Sequence, residues 1–277
     1  MSDSPLRKGI SEKEFLNNYI RFAAVHRWTV AKTCFGRYRE LDGSSPERAH
    51  LALEIHFCYL LLMEDILMWH YALKELQQSS SAHLMDILNG VNLSPAARSQ
   101  ALGEMQTISD AEFMSLLGFQ ATQTAPMPGL SVEECESVRA AIVVLKTTIT
   151  NGMKSFVQGK NGVLREGTLV RCLNKIKHGL LVMRMQESEG QPEFVAVFPK
   201  GTEFDFATDQ VSLPSIFPKQ ESLQNVLSEI ETLTSGLVGM LTVLFLTRFK
   251  DRPAGTPPDE LVRAISGRNR TKLTPDT

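Results

Sequence analysis

Residues 49–71, AHLALEIHFCYLLLMEDILMWHY, follow a Ser45-Pro46 pair. Serine can cap a free N–H of a first helical turn, and proline at the first helical position lacks only an N–H that has no partner there. The apolar run behind them contains no Gly or Pro, so the stretch predicts one long helix over about 46–78. Its polar residues, His50, Glu54, His56, Glu64, Asp65 and His70, are scattered through the run.

Outward from that helix, other starts are written as capping boxes, a Ser followed three residues later by Glu: Ser11 to Glu14, Ser109 to Glu112 and Ser131 to Glu134. They predict long helices over about 12–40 and 132–158, with shorter ones near 82–89, 95–106 and 110–118. Residues 118–130, GFQATQTAPMPGL, read as a loop. The GKNG turn at 159–162 leads into a helix from about Leu164 to His178, closed by Gly179. Beyond it, LLVMRMQ (180–186) and EFVAVF (193–198) are β-prone and separated by turn chemistry, which predicts a hairpin. A third short strand is expected near Glu203 to Ala207, then a last long helix over about 221–249. The expected fold is mainly α: one bundle of four to five long helices spanning 1–250, with a small β insertion at about 180–213. Residues 251–277, rich in Pro, Gly and charge, are expected to form a mobile tail with at most one short helical turn.

A chain of 277 residues can bury a hydrophobic core without covalent staples. Cys34, Cys58, Cys135 and Cys172 form no C-x-x-C pair, so no redox motif and no thiolate zinc site is indicated. Reduced thiols in the cytoplasm are the expectation. The opening MSDSPLRKGISEKEF has no apolar h-region for export. The most apolar window, Leu237 to Leu246, is about half the roughly 20 residues that cross a bilayer, so it is expected to be a core helix rather than a membrane segment. A dimetal bundle site would need two E-x-x-H pairs, and only Glu47 to His50 is found, so no metal or cofactor is expected. Glu54 and one of the histidines are expected to be polar groups satisfied across a helix interface; the alternative for Glu54 is that it faces the basic helix as its counter-charge. The GKNG turn lacks the rest of a phosphate loop, and no G-x-S-x-G elbow occurs.

Charge is distributed unevenly. Between Lys154 and Arg184 seven basic residues meet one acid, Glu166; that segment is +6, leaving −8 on the rest of a chain whose net charge is −2. At 100° per residue, Arg171, Asn174, Lys175 and His178 fall on one face of the predicted helix, and Leu169, Leu173 and Ile176 on the other. His178 sits at the helix C-terminus, where the dipole favours its protonated form while Arg171 and the lysines oppose it. An imidazole beside fixed cations is the equipment of metal-independent RNA cleavage: one group moves the 2′-hydroxyl proton, another stabilises the phosphorane charge. The same pattern also suits a merely solvated helix face. With two Trp and four Tyr, stacking platforms are not evident, so an RNA contact would rest on charge and be salt-dependent.

The string Asn174-Lys-Ile-Lys-His178-Gly179 resembles the N-x-x-x-H-G core of HEPN domains, helical-bundle proteins marked by an arginine and a histidine with four to six residues between them. Arg171 precedes His178 with six residues between. In the commonest form of the motif the arginine directly precedes the asparagine, and Leu173 occupies that place here. The resemblance implies a homodimer that joins two motifs at a shared cleft, and a metal-independent endoribonuclease acting as a toxin or in antiviral defence against phage, with an antitoxin-like protein partner. It assigns His178 as general acid/base, Arg171 as electrostatic stabiliser and Asn174 as an orienting or phosphate-contacting group. Lys160, Arg165, Lys175 and Lys177 are the expected phosphate-binding cations, from their charge and place alone. Some members of that family are not catalytic, and the displaced arginine keeps open a non-catalytic module that binds a nucleotide or a protein partner. A third reading is a ligand-sensing bundle that uses the hairpin for dimerisation or recognition.

Overall fold

The computed structural model describes residues 9–43, 45–78, 82–91, 95–119, 130–158 and, apart from 255 and 257, 220–265, with the backbone of five short stretches between 182 and 216. It is mainly α. The helices are α1 (Glu12–Asn18), a π turn (Tyr19–Ala23), α2 (Ala24–Glu40), α3 (Pro46–Gln78), α4 (Leu84–Gly90), α5 (Pro95–Thr107), α6 (Asp110–Leu116), α7 (Val132–Gln158), α8 (Gln220–Phe249) and α9 (Pro258–Ile265). Capping boxes at Ser11 and Ser109 start α1 and α6, each Ser hydroxyl accepting from the amide of the third helical residue while the Glu carboxylate accepts from the Ser N–H. Glu134 accepts from the Ser131 N–H at 2.6 Å ahead of α7 in the same way.

Three helices carry buried residues at steps of three and four. In α3 the stripe is Ala52, Ile55, Tyr59, Leu62, Ile66, Trp69, Leu73 and Leu76; in α7 it is Cys135, Val138, Ile142, Leu145, Ile149, Met153 and Phe156. In α8 it is Leu223, Val226, Ile230, Leu233, Leu237, Leu241 and Leu244. Such spacing holds one face of a helix against its neighbours turn after turn. In α3 a second buried row, His56, Leu60, Met63, Leu67 and His70, widens the stripe, which is why the run looks apolar nearly throughout.

The helix expected over 12–40 is interrupted by the π turn. Its buried positions, Leu16, Ile20, Ala24 and Trp28, follow one another at steps of four before the three-four alternation begins at Ala31. Repeated steps of four drift around an α-helix, and a wider turn takes up the drift. One result is Phe22, 65% exposed on that turn.

The described residues cluster into two units. The first is built from the chain before His26, from Leu67–Thr147 and from Ser235 onward; the second from the described parts of His26–Ile66 and Thr148–Thr234. In the first, Tyr19 meets Trp69 edge-on with ring centroids 5.0 Å apart. Glu12 there accepts from Arg248 Nε at 2.6 Å and from the Leu84 N–H at 3.1 Å. Gly118 ends α6 with φ +72°, and the amides of Gly118 and Phe119 close back on Ser115 and Met114. In the second unit Tyr59 packs on Phe156 with centroids 5.6 Å apart. Gly152 lies so close to Leu233 that a Cβ there would fall 2.9 Å from its Cγ.

The last long helix is apolar over more than Leu237 to Leu246: Leu223–Phe249 is long and apolar enough to cross a membrane, and 83% of its most apolar window is buried in the protein. Residues 251–265 depart from the expected mobile tail. Lys13 pairs with Asp251 at 2.5 Å, the Ala254 N–H donates to Asn17, and Leu261 and Ile265 of α9 are fully buried. Two apolar side chains spaced four apart make burial of this short helix favourable, and Gly239 permits its approach, since a Cβ there would lie 3.1 Å from the Ile265 backbone. Residues 266–277 lie outside the described residues.

Of the hairpin expected at 180–213, only backbone stretches are described: Val182–Met185 (β1) pairs antiparallel with Phe194–Val197 (β2), and β2 with Ser215–Ile216. Phe204–Asp205 pairs antiparallel with Gln210–Val211, and the remaining residues of that insertion lie outside the described ones.

Candidate functional site

The predicted site helix lies outside the described residues, and with it Arg171, Asn174 and His178, together with Lys160, Arg165, Lys175 and Lys177. What is described is the helix that leads into it. The last turns of α7 present Thr148, Asn151 and Ser155 at steps of three and four, and α8 answers with Ser228, Glu229 and Thr232. Together they line a polar cleft of about 330 Å³ in the second unit. Among the described residues Glu229 is its one charged side chain, and none of them supplies a cation for a phosphate.

The second unit also holds ionisable groups from α3 in apolar surroundings. His56 is 1% exposed, and its Nδ1 has no hydrogen-bond partner among the described residues. Burial lowers its pKa to about 4, so the ring is neutral at pH 7. Asp65 is raised to about 6, chiefly by burial, against the pull of Arg27, whose Nε stands 3.5 Å away. Cys58 is pushed up to about 12 by burial and then by the charge of Glu54; Cys34 moves the same way for the same reasons. Both shifts disfavour the thiolate, the nucleophilic form, and Cys58 is buried while Cys34 is half-buried. Glu54 itself is exposed, in contrast to the expected place across a helix interface.

The polar group that is satisfied across an interface is His70, in the first unit. Its Nε2 lies 3.1 Å from Glu104 Oε2, and Lys74 Nζ donates to both Glu104 oxygens at 2.9 and 2.8 Å. Gln100 Nε2 adds a fourth donor at 3.0 Å. An ionised carboxylate only accepts, so the contact fixes His70 as the Nε2–H tautomer, with its lone pair at Nδ1. Burial opposes the charge on Glu104, yet these donors together hold its pKa down at about 2. His70 is lowered, by burial first and against the influence of Glu104. The network floors a pocket of about 460 Å³.

Of this cluster only His70 was singled out from sequence. The others could have been found as polar stripes at steps of three and four: His70, Lys74 and Gln77 on α3, and Gln100, Glu104 and Thr107 on α5. Among the described residues no three His, Cys, Asp or Glu side chains are grouped to hold a metal ion. No protein-family model, curated protein or solved structure matches this chain.

Proposed function

We propose that this protein is a HEPN-like helical protein that binds or cleaves RNA without a metal, through the face of helix 164–178. The observation that carries the reading is the string Asn174 to Gly179 with Arg171 upstream, set in a +6 segment that follows a long helix of a mainly α chain. In this reading His178 moves the 2′-hydroxyl proton, Arg171 stabilises charge on the phosphorane and Asn174 orients the phosphate. Lys160, Arg165, Lys175 and Lys177 hold the RNA backbone. Two copies join their motifs at a shared cleft as a homodimer, a small β insertion over about 180–213 precedes the last long helix, and the activity serves as a cytoplasmic toxin or phage defence held in check by an antitoxin-like partner.

The test is RNA cleavage in excess EDTA by wild type, His178→Ala and Arg171→Ala. Loss of about 10²-fold or more in each variant is expected; equal background in all three sinks the nuclease. Leu173 favours a second reading, a non-catalytic module that binds a nucleotide or a protein through the same face. That reading predicts RNA or nucleotide binding that weakens in Arg171→Ala with no cleavage by any form.

A further inference from the structure

The pocket above the His70–Glu104 pair has walls from α3 (His70, Lys74, Gln77), α5 (Glu104, Thr107) and α6 (Glu112, Ser115). What it offers a ligand follows from which hydrogen-bonding positions are already used. Glu104 has four donors on its two oxygens and nothing left to give. Lys74 has spent two of its three N–H groups on Glu104. Glu112 uses Oε2 for the Ser109 amide and hydroxyl, which leaves Oε1. Gln77 donates through Nε2 to Ser115 Oγ at 2.9 Å, which leaves its carbonyl Oε1. Thr107 donates to the Gly103 carbonyl and keeps its lone pairs.

The balance leans to acceptors: His70 Nδ1, Gln77 Oε1, Glu112 Oε1 and Thr107 Oγ1, four in all, against one spare N–H each on Lys74 and Gln77 and the Ser115 hydroxyl. Among the described residues of the lining, Lys74, Glu104 and Glu112 sum to −1, and the one cation is already neutralised. An anion would find no free positive charge here. Ile108 and buried Leu116 add apolar wall for a short carbon stem.

The geometry points to a binding site for a small organic cation, an ammonium or guanidinium group on a short aliphatic stem, in the pocket between α3, α5 and α6. Its volume, about 460 Å³, is in the range that holds a small molecule. The His70 ring, 3% exposed and held at Nε2 by Glu104, lines the pocket without adding a positive charge. The site does not depend on the RNA reading and shares no residue with it.

The test is calorimetric titration of the full chain with butylammonium and with methylguanidinium, and with butyrate as the anionic counterpart. Saturable one-to-one binding of at least one cation, and none of butyrate, is expected. Glu112→Gln keeps the capping box while removing the charge, and because Glu112 is exposed the affinity should fall by up to about fivefold. Gln77→Leu, on the opposite wall, should also weaken binding, about threefold or more. Far-ultraviolet circular dichroism equal to wild type certifies that both variants are folded. No saturable binding of either cation, butyrate binding as tightly, or cation affinity unchanged in both folded variants would overturn the proposal and leave the His70–Glu104–Lys74 cluster a strut between α3 and α5.

Discussion

Gly152→Ala sets two physical effects against each other. Taken from sequence alone the substitution should stabilise: glycine inside a helix costs about 1 kcal/mol relative to alanine. The packing says the reverse. A Cβ at 152 would lie 2.9 Å from Leu233 Cγ and 3.2 Å from Cδ1, and nearer still to Cδ2. Leu233 is fully buried, so it can escape only by displacing other core side chains. With three carbons of one branched side chain involved, the overpacking cost belongs near the upper end of the usual range, about 3 kcal/mol. The net expectation is a loss of about 2 kcal/mol. Leu233→Ala alone should cost about 2–5 kcal/mol by opening a cavity. In that background Gly152→Ala should turn favourable by about 1 kcal/mol, a coupling of about 3 kcal/mol between the two sites. Urea denaturation of the four forms, followed by circular dichroism with m-values compared, reads each quantity. A stabilising Gly152→Ala in the wild-type background, or the same cost in both backgrounds, refutes the close approach of α7 and α8 at this level.

Other outcomes follow from the buried ionisable groups. His56 has a folded pKa of about 4, below the unfolded 6.5, so acid favours the unfolded chain. Stability should fall by up to about 3 kcal/mol between pH 6.5 and 4 on its account, and the difference between wild type and His56→Leu across that window, measured by denaturation, should show it; a pH-independent difference counts against the burial of a titrating ring. Glu104→Gln should cost about 1–2 kcal/mol at pH 7, discounted for a side chain 32% exposed, with Lys74 left without its carboxylate. Because the folded pKa of Glu104 is depressed to about 2, that cost should persist above about pH 4.5 and shrink as pH falls toward 2. A cost that grows on acidification would contradict the pairing. Leu173→Arg, which restores the arginine ahead of Asn174, should raise RNA cleavage in EDTA, and unchanged cleavage would count against the motif.

Much of the helical framework was legible in the sequence because its starts are chemical. Ser45-Pro46 and the serine–glutamate boxes name the first turns of α3, α6 and α7, and Gly118 ends α6 as an αL residue. The π turn was harder: it is visible only as the repeated four-residue step from Leu16 to Trp28, which carries no composition signal of its own. The anchoring of 251–265 was hidden because Leu261 and Ile265 are two apolar residues among prolines and charges, and their burial depends on Gly239, distant in the chain. The pocket around His70 escaped for the same reason. Glu104 and Lys74 each look like ordinary polar residues of a surface stripe, and only the packing of α3 with α5 puts one carboxylate under four donors. The basic face of 164–178 was read entirely from spacing, charge and resemblance.

The most direct test of the RNA reading is end-group analysis of cleavage in excess EDTA, with an RNA and its 2′-O-methyl counterpart as substrates. The account predicts that wild type cleaves the RNA to fragments ending in 2′,3′-cyclic phosphate, leaves the methylated strand whole, and loses the activity in His178→Ala. Cleavage of the methylated strand, or activity that disappears in EDTA and survives His178→Ala, would contradict it.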